Sequence, residues 1–253
     1  ELIDHLYSNP TLPNAIPYVT SYYKKRWGFC LSHNQLNKIR KNYNKTDEFR
    51  VVINSKFKKD GKMHYGEIFI PGKDKKEILI STNICHPSMA NNELSGPLVS
   101  MALAKYFMMK KNNRSLRIIL IPETIGSIAY INKNFKRLKK NTIGGYVITC
   151  IGDNRNHSLV LSKYENSLSD ISAIKAYKNL GISYKKYTFL KRGSDERQFN
   201  SPLIDLKMSS IMRSKYNNFR EYHTSLDNFE VLNEKGLKGG YKVVKRAINY
   251  LMK

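Results

Sequence analysis

Three observations predict an α/β fold for this chain, a mostly parallel mixed sheet with helices on both faces. From residue 77 onward, apolar β-branched runs alternate with helical periodicities, the pattern of a parallel sheet covered on both sides. Histidines, carboxylates and hydroxyls follow those runs closely, at the strand carboxyl ends where such sheets carry their sites. A length of 253 residues leaves room for one large domain with a sizeable core.

Taken in order, Pro10, Pro13 and Pro17 interrupt the first twenty residues and predict an irregular start. Residues 32–43 read as a short helix capped by Ser32. Residues 49–57 and 63–72 read as two strands, joined as a hairpin through Asp60-Gly61. The run 77–84 suits a buried strand, and 93–111 a helix with Leu98, Met101, Ala102 and Lys105 recurring around its turns. Strands are expected at 115–122 and 144–151, with a helix starting at 125 between them. A strand at 158–164, a helix at 165–179 and a short strand near 182–189 continue the alternation. A last strand at 205–214 and an amphipathic helix over 233–252 close the chain. There is no internal repeat, and the Lys/Asn-rich stretches 38–47 and 110–115 read as solvated connections.

Composition excludes several classes. Hydrophobic content of 41% and charged content of 25% are those of an ordinary globular protein. No run approaches the eighteen apolar residues of a membrane span, and no signal sequence opens the chain. The chain begins at Glu1 and is expected to be a piece of a longer one. Cys30, Cys85 and Cys150 stand singly in apolar segments, which predicts a reducing compartment and hence the cytoplasm. The net charge of +24 would attract nucleic acid or anionic lipid. Its lysines and arginines are scattered in short clusters at segment ends, so specific nucleic-acid binding is not expected.

The strand ends carry the chemistry. His86 follows the strand at 77–84, Glu123 the one at 115–122, and Thr149 to Asp153 the one at 144–151. Asp195 and Glu196 lie in the loop 192–199, and His223 in the segment 221–228 after the last strand. Imidazole nitrogen and carboxylate oxygen are zinc ligands, and a hydrolytic site adds a carboxylate base and an open water position. Singly, each has a plainer explanation: a structural histidine, a carboxylate favoured by a helix dipole, a cap, a turn. Spacing alone leaves a metal hydrolase and a set of structural residues both open.

The segments HPSMANNELSG (86–96), IPETIGS (121–127), SDERQF (194–199), YHTSLDN (222–228) and IPYVTSYYKKRWGFCLSHNQ (16–35) resemble a known family. It is that of the aminopeptidase-like proteins of polysaccharide-biosynthesis loci, a divergent branch of the zinc-dependent exopeptidases related to bacterial leucyl aminopeptidase. The resemblance implies one aminopeptidase-like domain over 1–253, with the family's inserted β domain and C-terminal winged helix absent or truncated. It implies a zinc-dependent amide hydrolase acting on a peptide or on an aminoacyl or acylamino-sugar group, in surface polysaccharide biosynthesis. Better-studied relatives hold two zinc ions that share a bridging aspartate. His86 matches the first metal histidine, His223 the second, and Glu123 a glutamate that is either ligand or base.

The bridging aspartate's position holds Asn92, next to Glu93, and the remaining aspartate ligand falls near Thr149. A neutral amide and a hydroxyl compensate little of the charge of two divalent cations, so one zinc is expected rather than two. Its carboxylate would come from Glu123, Glu93, Asp195 or Glu196, with Glu196 as base if Glu123 is a ligand. Arg213 and Arg197 are candidates to clamp a substrate carboxylate. His33 and Trp27 are candidates to line the pocket, and Cys85 and Cys150 are expected in the core. Two other functions stay open, a non-catalytic binding or scaffold relative and a basic nucleic-acid binder, and a homo-oligomer is compatible with each.

Overall fold

The computed structural model describes residues 1–253 other than Tyr22, Tyr23 and Phe57. A turn of 3-10 helix leads into β1 (Leu6–Tyr7), β2 (Phe29–Cys30) and α1 (His33–Asn42). Then come β3 (Gly66–Ile70), β4 (Asp74–Asn83), a π-helical turn Ala90–Leu94 running into α2 (Ser95–Met108), and β5 (Arg114–Ile121). After these follow α3 (Ile125–Asn141), β6 (Thr142–Ile148), β7 (Ser158–Val160) and α4 (Leu168–Asn179). The chain finishes with β8 (Lys185–Tyr187), α5 (Glu196–Phe199), β9 (Met208–Met212) and α6 (Glu234–Leu251). Ser32 caps α1 as expected: its hydroxyl accepts the Gln35 N–H, and the Gln35 side chain accepts the Ser32 N–H.

Seven strands form one sheet in the order β3-β5-β4-β6-β9-β7-β8, and β1 pairs with β2 apart from it. The four central strands run parallel. At the margins β3 lies antiparallel to β5, and β7 antiparallel to β9. Alternation along each strand divides the core between two faces. Ile78, Ile80, Tyr146 and Ile148 pack with Val99, Leu103 and Phe107 of α2 and with residues of α4 and α6. Leu79 and Val147 face the other way, onto Tyr130, Ile131 and Leu138 of α3 and Phe199 of α5. The helices therefore cover both faces.

Buried charges tie one part of this frame together. Arg117 of β5 pairs with Glu77 at 2.9 Å and Glu67 at 2.5 Å, and Arg137 of α3 pairs with Glu77 at 2.8 Å. On the α2 side, a β-carbon at Gly96 would fall 2.6 Å from the Ile148 carbonyl oxygen. That lack of room explains the glycine: the first turn of α2 lies directly against the sheet.

Three expectations fail. Residues 49–56 form no strand, and Phe57 lies outside the described residues. The Asp60-Gly61 turn makes no hairpin, because β3 pairs with β5 instead. In α2 the buried stripe is Val99, Leu103 and Phe107, while Leu98 and Met101 are exposed. So apolar a run satisfies several helical phases, and only the facing sheet selects one. Among the described residues, no helix is long and apolar enough to cross a membrane.

Candidate metal centre

β4 and β5 are parallel neighbours with Asn83 in register with Ile121, so the residues after them emerge side by side. This places His86 Nε2 3.8 Å from Glu123 Oε2. His223 arrives from the loop after β9, and the N-terminal segment holds that loop. Tyr18 donates its N–H to the His223 carbonyl at 2.8 Å, Ser225 donates to Ile16 at 2.8 Å, and Pro17 and Thr224 form an isolated bridge. The His86 and His223 ring centroids lie 5.1 Å apart. The Tyr18 ring sits 5.1 Å from the first and 5.3 Å from the second, and Tyr222 stacks on His223 at 3.9 Å.

Hydrogen bonds occupy most of the polar atoms here, and the exceptions are informative. Glu93 Oε1 accepts the backbone N–H of Cys85 and of His86, and Oε2 lies 3.1 Å from His86 Nδ1. Cys85 Sγ, 3.2 Å from the same Nδ1, accepts the Glu123 N–H at 3.1 Å. Glu123 Oε1 takes the Ser194 hydroxyl at 2.5 Å and the Asn83 amide at 3.2 Å, while Oε2 faces His86. His86 Nε2 and His223 Nε2 are both buried with no hydrogen-bond partner among the described residues. Cys85, His86 and Glu93 do bring their ligand atoms within 4.8 Å of one another. However, backbone N–H groups already engage Cys85 and Glu93, so that trio is a hydrogen-bonded support. Around the two rings, the donors left open are His223 Nε2, Glu123 Oε2 and, once it gives up its proton, His86 Nε2.

The electrostatics separate the two imidazoles. Burial works to lower His86, but the bonds to Cys85 and Glu93 outweigh it and push the group up to about 11. Burial and the neighbouring His86 charge drive His223 down to about 4, which leaves it neutral. Burial raises Glu123, against the opposing bond from Ser194. Asp195, also raised by burial, rises to about 7.

The other candidates divide clearly. Asp195 Oδ1 accepts the Thr124 N–H and the Ser127 hydroxyl, and its buried Oδ2 has no partner among the described residues. Glu196 is not placed to act as a base. Its Oε1 takes two backbone N–H groups and the Tyr216 hydroxyl, and its Oε2 the Ser210 hydroxyl, all within the core. Asn92 turns its Oδ1 to Cys150 Sγ at 3.6 Å, and the Thr149 hydroxyl donates to the Asn92 carbonyl. Glu93, offered as a ligand, is taken up as described above. Arg213 is buried against the Asp153 carbonyl, Asn154 and His157, a structural post rather than a substrate clamp. Arg197 is exposed on α5. His33 bonds Ser8, and Trp27 stacks on His5. Cys150 is in the core as expected, but Cys85 is half-buried and borders a cavity.

That cavity, about 900 Å³, lies beside His86 and is walled by Ile84, Met89, Leu94, Pro97 and Phe229. Ser88 on its wall has a positive φ of 62°, as do Thr124, Cys150 and His223 at the strand ends and in the His223 loop, at 62°, 48° and 55°. The residues missed from sequence are Tyr18, Asn83, Ser194 and Asp227, the last accepting the Asn91 and Asn92 N–H groups. Tyr18, Ser194 and Asp227 fall inside the segments that carried the resemblance, which was the available signal.

Comparison with known proteins bears on the family and the fold. A family model described as a domain of unknown function, DUF4910, matches residues 9–253. A Clostridium acetobutylicum protein, provisionally named a polysaccharide biosynthesis protein with an aminopeptidase-like domain, is 40% identical over 248 residues. Those residues are 98% of this chain and 55% of that protein. A crystal structure from Clostridium acetobutylicum, provisionally named a peptidase, matches with a TM-score of 0.92 at 39% identity. It covers 99% of this chain and 58% of the other. The zinc aminopeptidase of Bacillus subtilis matches at a TM-score of 0.63 and 18% identity, over 74% of this chain and 49% of that one. At that identity the likeness is one of fold. The chain spans somewhat more than half the length of the Clostridium acetobutylicum proteins it matches.

Proposed function

The chain belongs to the DUF4910 family, and from that premise we propose that it is an aminopeptidase-like amide hydrolase whose site takes one zinc ion. One observation carries the reading: two buried imidazole nitrogens, His86 Nε2 and His223 Nε2, without partners among the described residues, on neighbouring rings of which the first lies beside the Glu123 carboxylate. Two nitrogens and an oxygen suit zinc, and three protein donors leave a fourth position for water. When bound there, zinc would polarise an amide carbonyl and acidify its water.

The chain's own residues prepare the rest. Ser194 and Asn83 hold one oxygen of Glu123 and leave the other toward His86. Tyr18 and Tyr222 wall the two rings against solvent. The apolar cavity beside His86 suits a substrate with an uncharged, bulky group, a peptide or an aminoacyl or acylamino group on a sugar. The name of the 40% identical relative supports a role in polysaccharide biosynthesis. Three free cysteines support a cytoplasmic setting. Residues 1–253 would act as one unit.

Among the described residues, only Glu123 brings a carboxylate oxygen within 4.0 Å of His86 Nε2. It cannot ligate and shuttle a proton at once. Turnover should therefore be slow, since lacking a dedicated base costs roughly 10²- to 10⁴-fold. The test is zinc content after purification without chelator, together with zinc-dependent cleavage of aminoacyl anilides. Protein that takes up no zinc from micromolar solution would sink the proposal. A second reading, a non-catalytic relative, is favoured by the confinement of Glu196 to the core. Stoichiometric zinc with no turnover of any anilide or acylamino sugar would select it.

A further inference from the structure

Glu93 stands in the π-helical turn before α2, and its carboxylate reaches back over His86. Oε1 accepts two backbone N–H groups, from Cys85 and His86, which set the rotation of the carboxylate. Oε2 is thereby directed at His86 Nδ1, 3.1 Å away. We infer that Glu93 is a positioning residue that keeps a proton on His86 Nδ1 and so makes Nε2 the ligating nitrogen. The inference rests on the metal-centre reading, in which Nε2 meets His223 and Glu123.

The argument is one of donors and acceptors. An ionised carboxylate only accepts, so the nitrogen opposite it carries hydrogen. An imidazole protonated on Nδ1 ligates through Nε2. Such a carboxylate behind a metal-bound histidine also holds the ring in place. Glu93 is 8% exposed, so water competes little for its oxygens. Cys85 Sγ, 3.2 Å from the same nitrogen, is the weaker acceptor and already receives the Glu123 N–H. If Glu93 were there only to secure the turn, Oε1 alone would suffice.

The substitution Glu93→Gln keeps the shape and reverses the outcome. Its amide oxygen must remain on the two backbone N–H groups, because turning the amide would oppose donor to donor. The NH₂ then meets Nδ1, which has to present a lone pair, and the proton moves to Nε2. The experiment is a two-bond proton–nitrogen correlation spectrum of isotope-labelled histidine in chelator-treated protein, followed by cobalt titration.

Expected are a protonated His86 Nδ1 in wild type, in Glu93→Asp and in Cys85→Ala, and an unprotonated one in Glu93→Gln. Cobalt affinity should fall about ten- to a hundredfold in Glu93→Gln and recover in part in Glu93→Asp. An unprotonated Nδ1 in wild type overturns the inference even if Glu93→Gln does not fold. So does a protonated Nδ1 in folded Glu93→Gln, or loss of the proton in Cys85→Ala. Should wild type bind no metal, the metal-centre reading fails, while the Nδ1 spectrum still decides this inference.

Discussion

His86 and His223 lie with ring centroids 5.1 Å apart, and each keeps a buried Nε2 free of any partner among the described residues. A buried polar atom left unpaired costs roughly 1–3 kcal/mol. Two of them on neighbouring rings, one beside the Glu123 carboxylate, make an arrangement that a cation drawing them together would relieve.

Removing either ring should abolish that relief. His86→Ala and His223→Ala are expected to lower zinc affinity by more than about a hundredfold, beyond what losing a supporting group costs. Glu123→Gln should also release the ion, since the reading makes Glu123 a ligand. Calorimetric titration with zinc measures all three. Full zinc retention in Glu123→Gln would assign that carboxylate to proton transfer instead.

Asn92→Asp introduces a charge at the position where the resemblance implies a bridging aspartate. Asn92 is 4% exposed, beside Cys150 and the carboxylate of Asp227. In chelator the variant should lose about 2 kcal/mol through an uncompensated buried charge. Zinc should return most of that and raise the metal occupancy. Thermal melts with and without zinc make the comparison.

Gly96→Ala should destabilise the fold by about 2 kcal/mol, because the new methyl meets the Ile148 carbonyl of β6. Urea denaturation should show a lower midpoint at an unchanged slope.

The pH dependence of stability should carry a signature of His157. Burial and the adjoining Arg213 guanidinium lower this group from 6.5 to about 4. The unfolded chain therefore takes the proton first as pH falls. The stability contributed by neutral His157 is whole above 6.5 and is lost as pH drops from 6.5 toward 4. Melting temperatures between those two values should fall more steeply for wild type than for His157→Gln. Parallel slopes would show that His157 does not contribute.

The frame was legible because its signals are local. β4, β5 and β6 are each built round a short apolar, β-branched stretch, Ser32 carries its capping partner three residues on, and the rule of strand ends led to His86, Glu123 and His223. What could not be read depended on contacts far apart in the chain. Glu196 looks like any loop carboxylate until Tyr216 and Ser210 are seen to enclose it. Tyr18 reaches the site only because Pro17 bridges to Thr224. The apolar residues at 49–53 have the composition of a strand, but no neighbour pairs with them among the described residues.

Asp227 accepts the N–H groups of Asn91 and Asn92 at 2.7 and 2.8 Å, and its own carbonyl accepts the Ala90 N–H at 2.8 Å. The His223 loop is in this way stitched to the turn that carries Glu93. The two halves of the donor set come from segments far apart in the chain and meet only when the intervening sheet is complete. A zinc ion held by both would report on global folding: mass action would raise the melting temperature with zinc concentration. Its release would then follow the rate of cooperative unfolding rather than that of a local opening.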